Sequence, residues 1–245
     1  IWLLDELTSA APLVQAVLYQ ATLDHQIGEH RLKAGWYVMA AGNRVEDRAV
    51  VRPLSTALAN RFTHIEFEVN LDDWRRWAVA KGIDSNIIAF LHWKPECLFN
   101  FNPESSEKAF CSPRTWEFAD HIIKSTPRSL QPELLEGTIG AGATAEFVAF
   151  LKVQTELPDL NAILNGDNTV PVRGDLRYAL VAALVTKATG KQFERLIQYG
   201  QNLPGEYAVL MAMLMVGKDA MALRKCPSWE SWSKANRDVL VRKRG

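Results

Sequence analysis

Cysteine is scarce in this chain of 245 residues: Cys97, Cys111 and Cys226 are odd in number, widely spaced and without a Cys-x-x-Cys pair. That pattern argues against a disulfide framework and a thiolate zinc site, and it fits a reducing cytoplasm. Excess charge of one sign is also missing, because Lys plus Arg and Asp plus Glu both number 28. There is no overall positive field to hold a polyanion by counterion release, so nucleic acid is not the expected partner. The longest apolar run near the end, Tyr207 to Val216, falls short of the roughly 20 residues that cross a bilayer, and reads as a buried helix. The five histidines, His25, His30, His64, His92 and His121, show no His-Glu-x-x-His spacing, which leaves a zinc hydrolase with little support. The start, Ile1 to Glu6, carries no basic leader, cleavage site or initiator methionine, and is expected to lie in the middle of a gene product.

What is present is a chain with 48% hydrophobic residues, enough for one large core or two modest ones. Its first part has α/β grammar. An apolar strand is expected at 1–4, then a helix opened by Pro12 with Leu13, Val14, Val17, Leu18 and Ala21 on one face. A hairpin-like segment surrounds Ile27, Gly28 and Glu29. A second buried strand, Trp36 to Ala41, runs into Gly42 and Asn43. A helix over about 53–60 leads to Arg61, and Ile65, Phe67 and Val69 alternate with polar neighbours as a third strand. From Asp72, an expected N-cap, the periodicity turns helical, with Trp74, Trp77 and Ala78 on an apolar stripe. Residues 94–111 read as a loop, after which Ser112 and Pro113 open a helix with Trp116, Ala119 and Ile123 inward. Further helices are expected at about 131–138, 142–157, 172–188, 191–202 and 205–216, separated by proline and glycine.

Four places carry chemistry. Leu3-Leu4-Asp5-Glu6 is an apolar strand ending in two carboxylates, where Asp5 can hold Mg²⁺ through its waters and Glu6 can orient an attacking water. Asn43, at the tip of the second strand, is a neutral polar group placed to position a lytic water; Gly42-Asn43 is equally a common turn dipeptide. Arg61 precedes the third strand and can reach a phosphate held by a neighbouring subunit, or else cap its own helix, with Arg48 and Arg52 as competitors. Arg114, in the first turn after Ser112 and Pro113, directs positive charge at an anion together with the helix N-terminus, or else points to solvent.

In their order, and in the change from α/β to helical composition, these features resemble a MoxR-like AAA+ ATPase, from its Walker B strand (Asp5, Glu6) through sensor 1 (Asn43) and the arginine finger (Arg61) to sensor 2 (Arg114). The match covers about residues 1–125. The resemblance implies an α/β remnant of an AAA+ core at 1–69, a helical lid at 70–126 and a helical C-terminal extension at 127–245, predominantly α overall. It also implies ATP and Mg²⁺ as cofactors of the full-length protein, a ring of identical copies, remodelling of a client protein and a partner with a von Willebrand factor A domain.

The resemblance is incomplete. A Gly-x-x-x-x-Gly-Lys-[Ser/Thr] loop, whose N–H groups and lysine cradle phosphates, occurs nowhere in the 245 residues. Gly190-Lys191 and Gly217-Lys218 lack both the earlier glycine and the hydroxyl residue, and this chain is expected to be inactive and to bind no nucleotide alone. Gly140-Ala141-Gly142 imitates a dinucleotide fingerprint but follows helical sequence. Trp229 and Trp232 suit packing better than base stacking, and Arg242, Lys243 and Arg244 read as a solvated tail. The competing expectation is a non-catalytic helical interaction module at 126–245, supported by a degenerate α/β remnant; a DNA-remodelling role is disfavoured by the charge balance.

Overall fold

A computed structural model describes residues 1–44 and 52–236; Arg48 and the Arg242-Lys243-Arg244 tail lie outside the described residues. The described residues are predominantly helical with a small parallel sheet. They divide into two compact units, residues 1–68 with 102–105, and residues 69–101 with 106–245.

The first unit begins with β1 (Trp2–Leu4), followed by a 3-10 turn (Leu7–Ser9) and α1 (Pro12–Leu23). A short hairpin of β2 (Gln26–Ile27) and β3 (His30–Arg31) comes next, turning at Gly28, whose positive φ of 56° suits a residue without Cβ. Then come β4 (Val38–Ala40) and α2 (Thr56–Ala59). β1 and β4 pair in parallel with Leu3 opposite Met39, so both strands point their C-terminal ends the same way. The buried core is small: Leu7, Leu18, Ala21 and Leu58, with Trp2, Leu4, Tyr19 and Phe62 among the residues packed against it.

Three sequence expectations fail here. The second strand forms at Val38–Ala40 but is not buried, with Trp36, Tyr37 and Met39 exposed. The segment 65–69 forms no strand, and Phe67 is fully exposed. The buried stripe of α1 is Gln15, Leu18 and Ala21, while Leu13, Val14 and Val17 face outward. Gln15 tolerates burial because its Nε2 donates to Ala10 O at 3.2 Å.

The second unit is helical throughout: α3 (Leu71–Lys81), α4 (Ser85–Trp93), α5 (Pro113–Ser125), α6 (Gln131–Ile139), α7 (Ala141–Val153), α8 (Leu160–Leu164), α9 (Gly174–Lys187), α10 (Phe193–Gly200), α11 (Gly205–Arg224) and α12 (Trp229–Ala235). The N-cap of α3 is Asn70, not Asp72; its side chain accepts from Asp73 N, while Asp72 pairs with Arg75 at 2.9 Å. Gly82, at φ 76°, ends α3. The turn into α4 is clamped from α5, where Asp120 accepts from Asp84 N at 2.7 Å and Lys124 donates to Gly82 O at 2.6 Å. Helices on both sides of residue 126 share one apolar core, centred on α4 (Ile87–Leu91) and α9 (Tyr178–Ala182, Leu184, Val185). Trp116 is fully buried there, its Nε1 donating to Cys97 O at 2.7 Å.

The two Gly-Lys pairs and Gly140 fill structural roles in this unit. Gly140, at φ 85°, links α6 to α7, and a Cβ there would lie 2.9 Å from Ala109 O. Gly190-Lys191 form a 3-10 turn before α10. Gly217-Lys218 lie within α11, which runs on to Arg224 through a break at Asp219. Lys218 Nζ donates to Val185 O, Thr186 O and Ala188 O at 2.6–2.8 Å, closing the C-terminal end of α9. Among the described residues no helix is long and apolar enough to cross a membrane.

Candidate functional site

Two parallel strands that end together bring the residues following them into one place, and the crevice beyond the carboxyl ends of such strands is where α/β folds bind ligands. In the first unit that place holds Asp5 and Glu6 after β1, and Gly42 and Asn43 after β4. The ladder continues past the strands themselves: Ala41 N donates to Leu4 O and Leu7 N donates to Ala41 O, both at 2.9 Å. This register brings Glu6 beside the segment Gly42-Asn43 that follows β4.

Glu6 is held at φ 54° and ψ 33°, a left-handed conformation that costs a residue with Cβ about 1 kcal/mol. From there its carboxylate meets Asn43, whose Nδ2 donates to Glu6 Oε2 at 3.2 Å. Ser9 Oγ donates to the same oxygen at 3.3 Å. The backbone N–H of Glu6 donates to Asp5 Oδ1 at 3.0 Å, which turns the Asp5 carboxylate beside it. Thr8 ties the two strand ends together: its Oγ1 donates to Asn43 O at 3.2 Å, and its own carbonyl accepts from Arg52 N at 2.8 Å. Gly42 is required at that approach, since a Cβ would sit 2.5 Å from Thr8 Oγ1. Asp5, Glu6, Ser9 and Asn43 are all exposed.

Thr8 and Ser9 belong to this cluster although the sequence reading passed over them. Their signal was position: a 3-10 turn directly after Asp5-Glu6 returns their hydroxyls toward the strand ends. The set can present a carboxylate pair to water or to a hard cation, and an amide that orients one of the carboxylates.

Within the first unit, Arg61 makes its contacts on α1 and α2. Arg61 turns back on α2, donating from Nη1 to Ala57 O, and its guanidinium lies over the Tyr19 ring at 5.4 Å from the centroid. Tyr19 in turn contacts Ser55 Oγ at 2.6 Å, and Ser55 caps α2 by accepting from Leu58 N. Arg61 Nε is buried without a hydrogen-bond partner among the described residues. Arg52 enters the cluster through its backbone N–H, which donates to Thr8 O. Arg114 belongs to the second unit, one residue after Pro113 in the first turn of α5. A capping box formed by Ser112 and Thr115 satisfies two backbone N–H groups there, and leaves the Arg114 side chain exposed.

A second polar cluster lies inside the helical unit. Arg75 Nη1 donates to His92 Nδ1 at 2.7 Å, and the His92 ring packs on Tyr178 at 5.4 Å between centroids. Tyr178 packs on Tyr207 at 4.5 Å, with Arg177 over the Tyr207 ring. Burial, with the nearby Arg75 charge, pushes the His92 pKa down to about 4. Burial and then the Glu206 charge push the Tyr178 hydroxyl upward, so both rings are held neutral. Among cysteines, burial pushes Cys97 up to about 12 and raises Cys111 and Cys226, which makes poor nucleophiles of all three.

Comparison of the chain with protein-family models, with curated proteins and with solved structures found no match in any of the three.

Proposed function

We propose that this chain forms the rear part of a MoxR-like AAA+ ATPase that couples ATP binding and hydrolysis to the remodelling of client proteins. The observation that carries the reading is the contact between Asn43 and Glu6 at the ends of two parallel strands, with Asp5 alongside. A carboxylate oriented by a neutral amide suits the positioning of a lytic water, and Asp5 offers the hard oxygen that suits Mg²⁺. Arg61 and Arg114 would supply positive charge toward phosphate, Arg61 to a neighbouring copy in a ring and Arg114 from the lid helix. The Arg61 role needs its guanidinium to leave Tyr19 and Ala57. The reading also needs a phosphate-binding loop from outside these 245 residues, and a von Willebrand factor A domain protein is the partner it suggests.

The test is steady-state ATP hydrolysis by the complete gene product with Glu6→Gln. A fall of about 100-fold or more, with an unchanged melting temperature, is the expected result. Hydrolysis at the normal rate would remove Glu6 from the mechanism.

A second reading, a non-catalytic helical interaction module, is favoured by one observation: the helical unit has a continuous core of its own. If partner binding by the complete protein is unchanged by nucleotide and by Glu6→Gln combined with Asn43→Ala, this reading takes precedence.

A further inference from the structure

We propose that Arg75 and His92 form an acid-sensitive latch on α3: protonation of His92 breaks the bond that ties α3 to α4 and lets α3 open while the rest of the helical unit stays folded. The inference does not rest on the nucleotide-site reading.

Arg75 lies on α3 and His92 in the last turn of α4. A guanidinium can only donate, so the 2.7 Å contact between Arg75 Nη1 and His92 Nδ1 needs a lone pair on that nitrogen, and therefore a neutral ring with its proton on Nε2. A proton on Nδ1 removes the acceptor and sets one cation against another. Arg75 then keeps its partner on its own helix, Asp72 at 2.9 Å, and loses the one on α4. The charges acting on His92 are Arg75 and Asp72 from α3 and Glu206 from α11, and the ring packs on Tyr178 of α9. Glu206 also acts on the hydroxyls of Tyr178 and Tyr207, while on α7 Glu146 is paired with Lys94 at 2.9 Å. Burial, then the Arg75 charge, holds the closed His92 near a pKa of about 4, against 6.5 in water. An opened His92 takes a proton that the closed one refuses. Below pH 6.5 the open fraction therefore grows by up to about tenfold per pH unit.

The helix that yields is α3. It buries Trp74 and Ala78, whereas α4 buries five successive residues and α9 seven, so α3 has the fewest apolar contacts to give up. Two further polar ties of α3 are longer than the latch: Trp74 Nε1 donates to Pro113 O at 3.4 Å, and Lys81 reaches Glu117 of α5 at 3.6 Å. The C-terminal end of α3 is held by α5 through Gly82 O and Asp84 N, so the opening pivots there and moves the end that carries Arg75. Acid would thereby uncover Trp74, Ala78 and the apolar surface beneath them.

Amide hydrogen exchange at pH 7 and pH 4.5, corrected for the intrinsic rate at each pH, tests the proposal. The opening constant for the amides of residues 75–81 should rise about tenfold or more on acidification, with a smaller rise in α9 and none in α3 of His92→Gln. A rise in α3 no larger than that in α9, or an equal rise in His92→Gln, overturns it. Should His92→Gln not fold, Arg75→Met decides the matter through the imidazole resonance of His92 followed against pH. Removing the guanidinium should raise the His92 midpoint by about half a pH unit or more. An unchanged midpoint removes the pairing from which the latch is built, and overturns the proposal.

Discussion

Asn43 and Glu6 lie 37 residues apart in the chain, yet the amide of one donates to the carboxylate of the other at 3.2 Å. The contact depends on Glu6 adopting a left-handed backbone, which aims its side chain across the strand ends. A residue with Cβ in that conformation carries strain that glycine does not. Two variants that both remove the carboxylate isolate the strain: Glu6→Gly should be more stable than Glu6→Ala by about 1 kcal/mol in urea denaturation. Equal stabilities would mean that the backbone at residue 6 relaxes once the carboxylate is gone.

His92 should make the helical unit acid-sensitive. Its pKa falls from 6.5 to about 4 on folding, so the unfolded chain binds the extra proton more readily. The stabilisation is fully present above pH 6.5 and is lost as the pH falls from 6.5 toward about 4. Near pH 5 the loss should be about 1–2 kcal/mol. His92→Gln keeps an acceptor for Arg75 but cannot titrate. Denaturation midpoints from pH 7 to 4.5 should therefore fall more steeply for the unaltered protein than for the variant, and parallel curves would exclude His92 as the cause.

Lys218 joins two helices by donating to three carbonyls at the end of α9. Lys218→Met keeps most of the aliphatic stem and removes the donors. The expected cost is about 1–3 kcal/mol, read as a lower melting temperature with helical content preserved. A change below about 0.5 kcal/mol would show that water satisfies those carbonyls equally well.

Trp116→Phe tests a different kind of contact. The substitution keeps an aromatic ring against Phe90 and Phe147 but leaves Cys97 O without the indole donor. A loss of about 1–3 kcal/mol is expected from the unsatisfied carbonyl, before any packing defect is added. Chemical denaturation at neutral pH reads it directly.

Much of the fold was legible because it follows from local pattern. The apolar runs at 1–4 and 36–41 mark the two strands, and the apolar run from Tyr207 to Val216 lies within α11, mostly buried but with Val216 exposed. The helix opened by Ser112 and Pro113 starts where its capping residues stand. Alternation at Ile65, Phe67 and Val69 misled, because a period of two says which face a strand would bury and nothing about whether a neighbour exists. The outward face of α1 misled for a related reason: Leu13 and Val17 are apolar, but the core is met by the face carrying Gln15, whose amide finds a carbonyl. At the candidate site, the strand-end positions of Asp5, Glu6 and Asn43 could be read from the chain, whereas the bonds made by Thr8 and Ser9 depend on the 3-10 turn that follows, for which position after Asp5-Glu6 is the one signal. The role of Lys218 was hidden because its acceptors lie about 30 residues earlier, on another helix.

Among its described residues, the first unit encloses only Leu7, Leu18, Ala21 and Leu58 as a buried apolar core. A small core gives a shallow free-energy well, and regions with few buried apolar contacts open more readily than the rest of a protein. The Glu6–Asn43 geometry is then a matter of occupancy: the fraction of time this unit spends closed multiplies any rate or affinity that the cluster supports. Whatever covers the outward side chains of α1 and the strands would act on the chemistry without touching a reacting atom, by lengthening the intervals during which the two strand ends stay together.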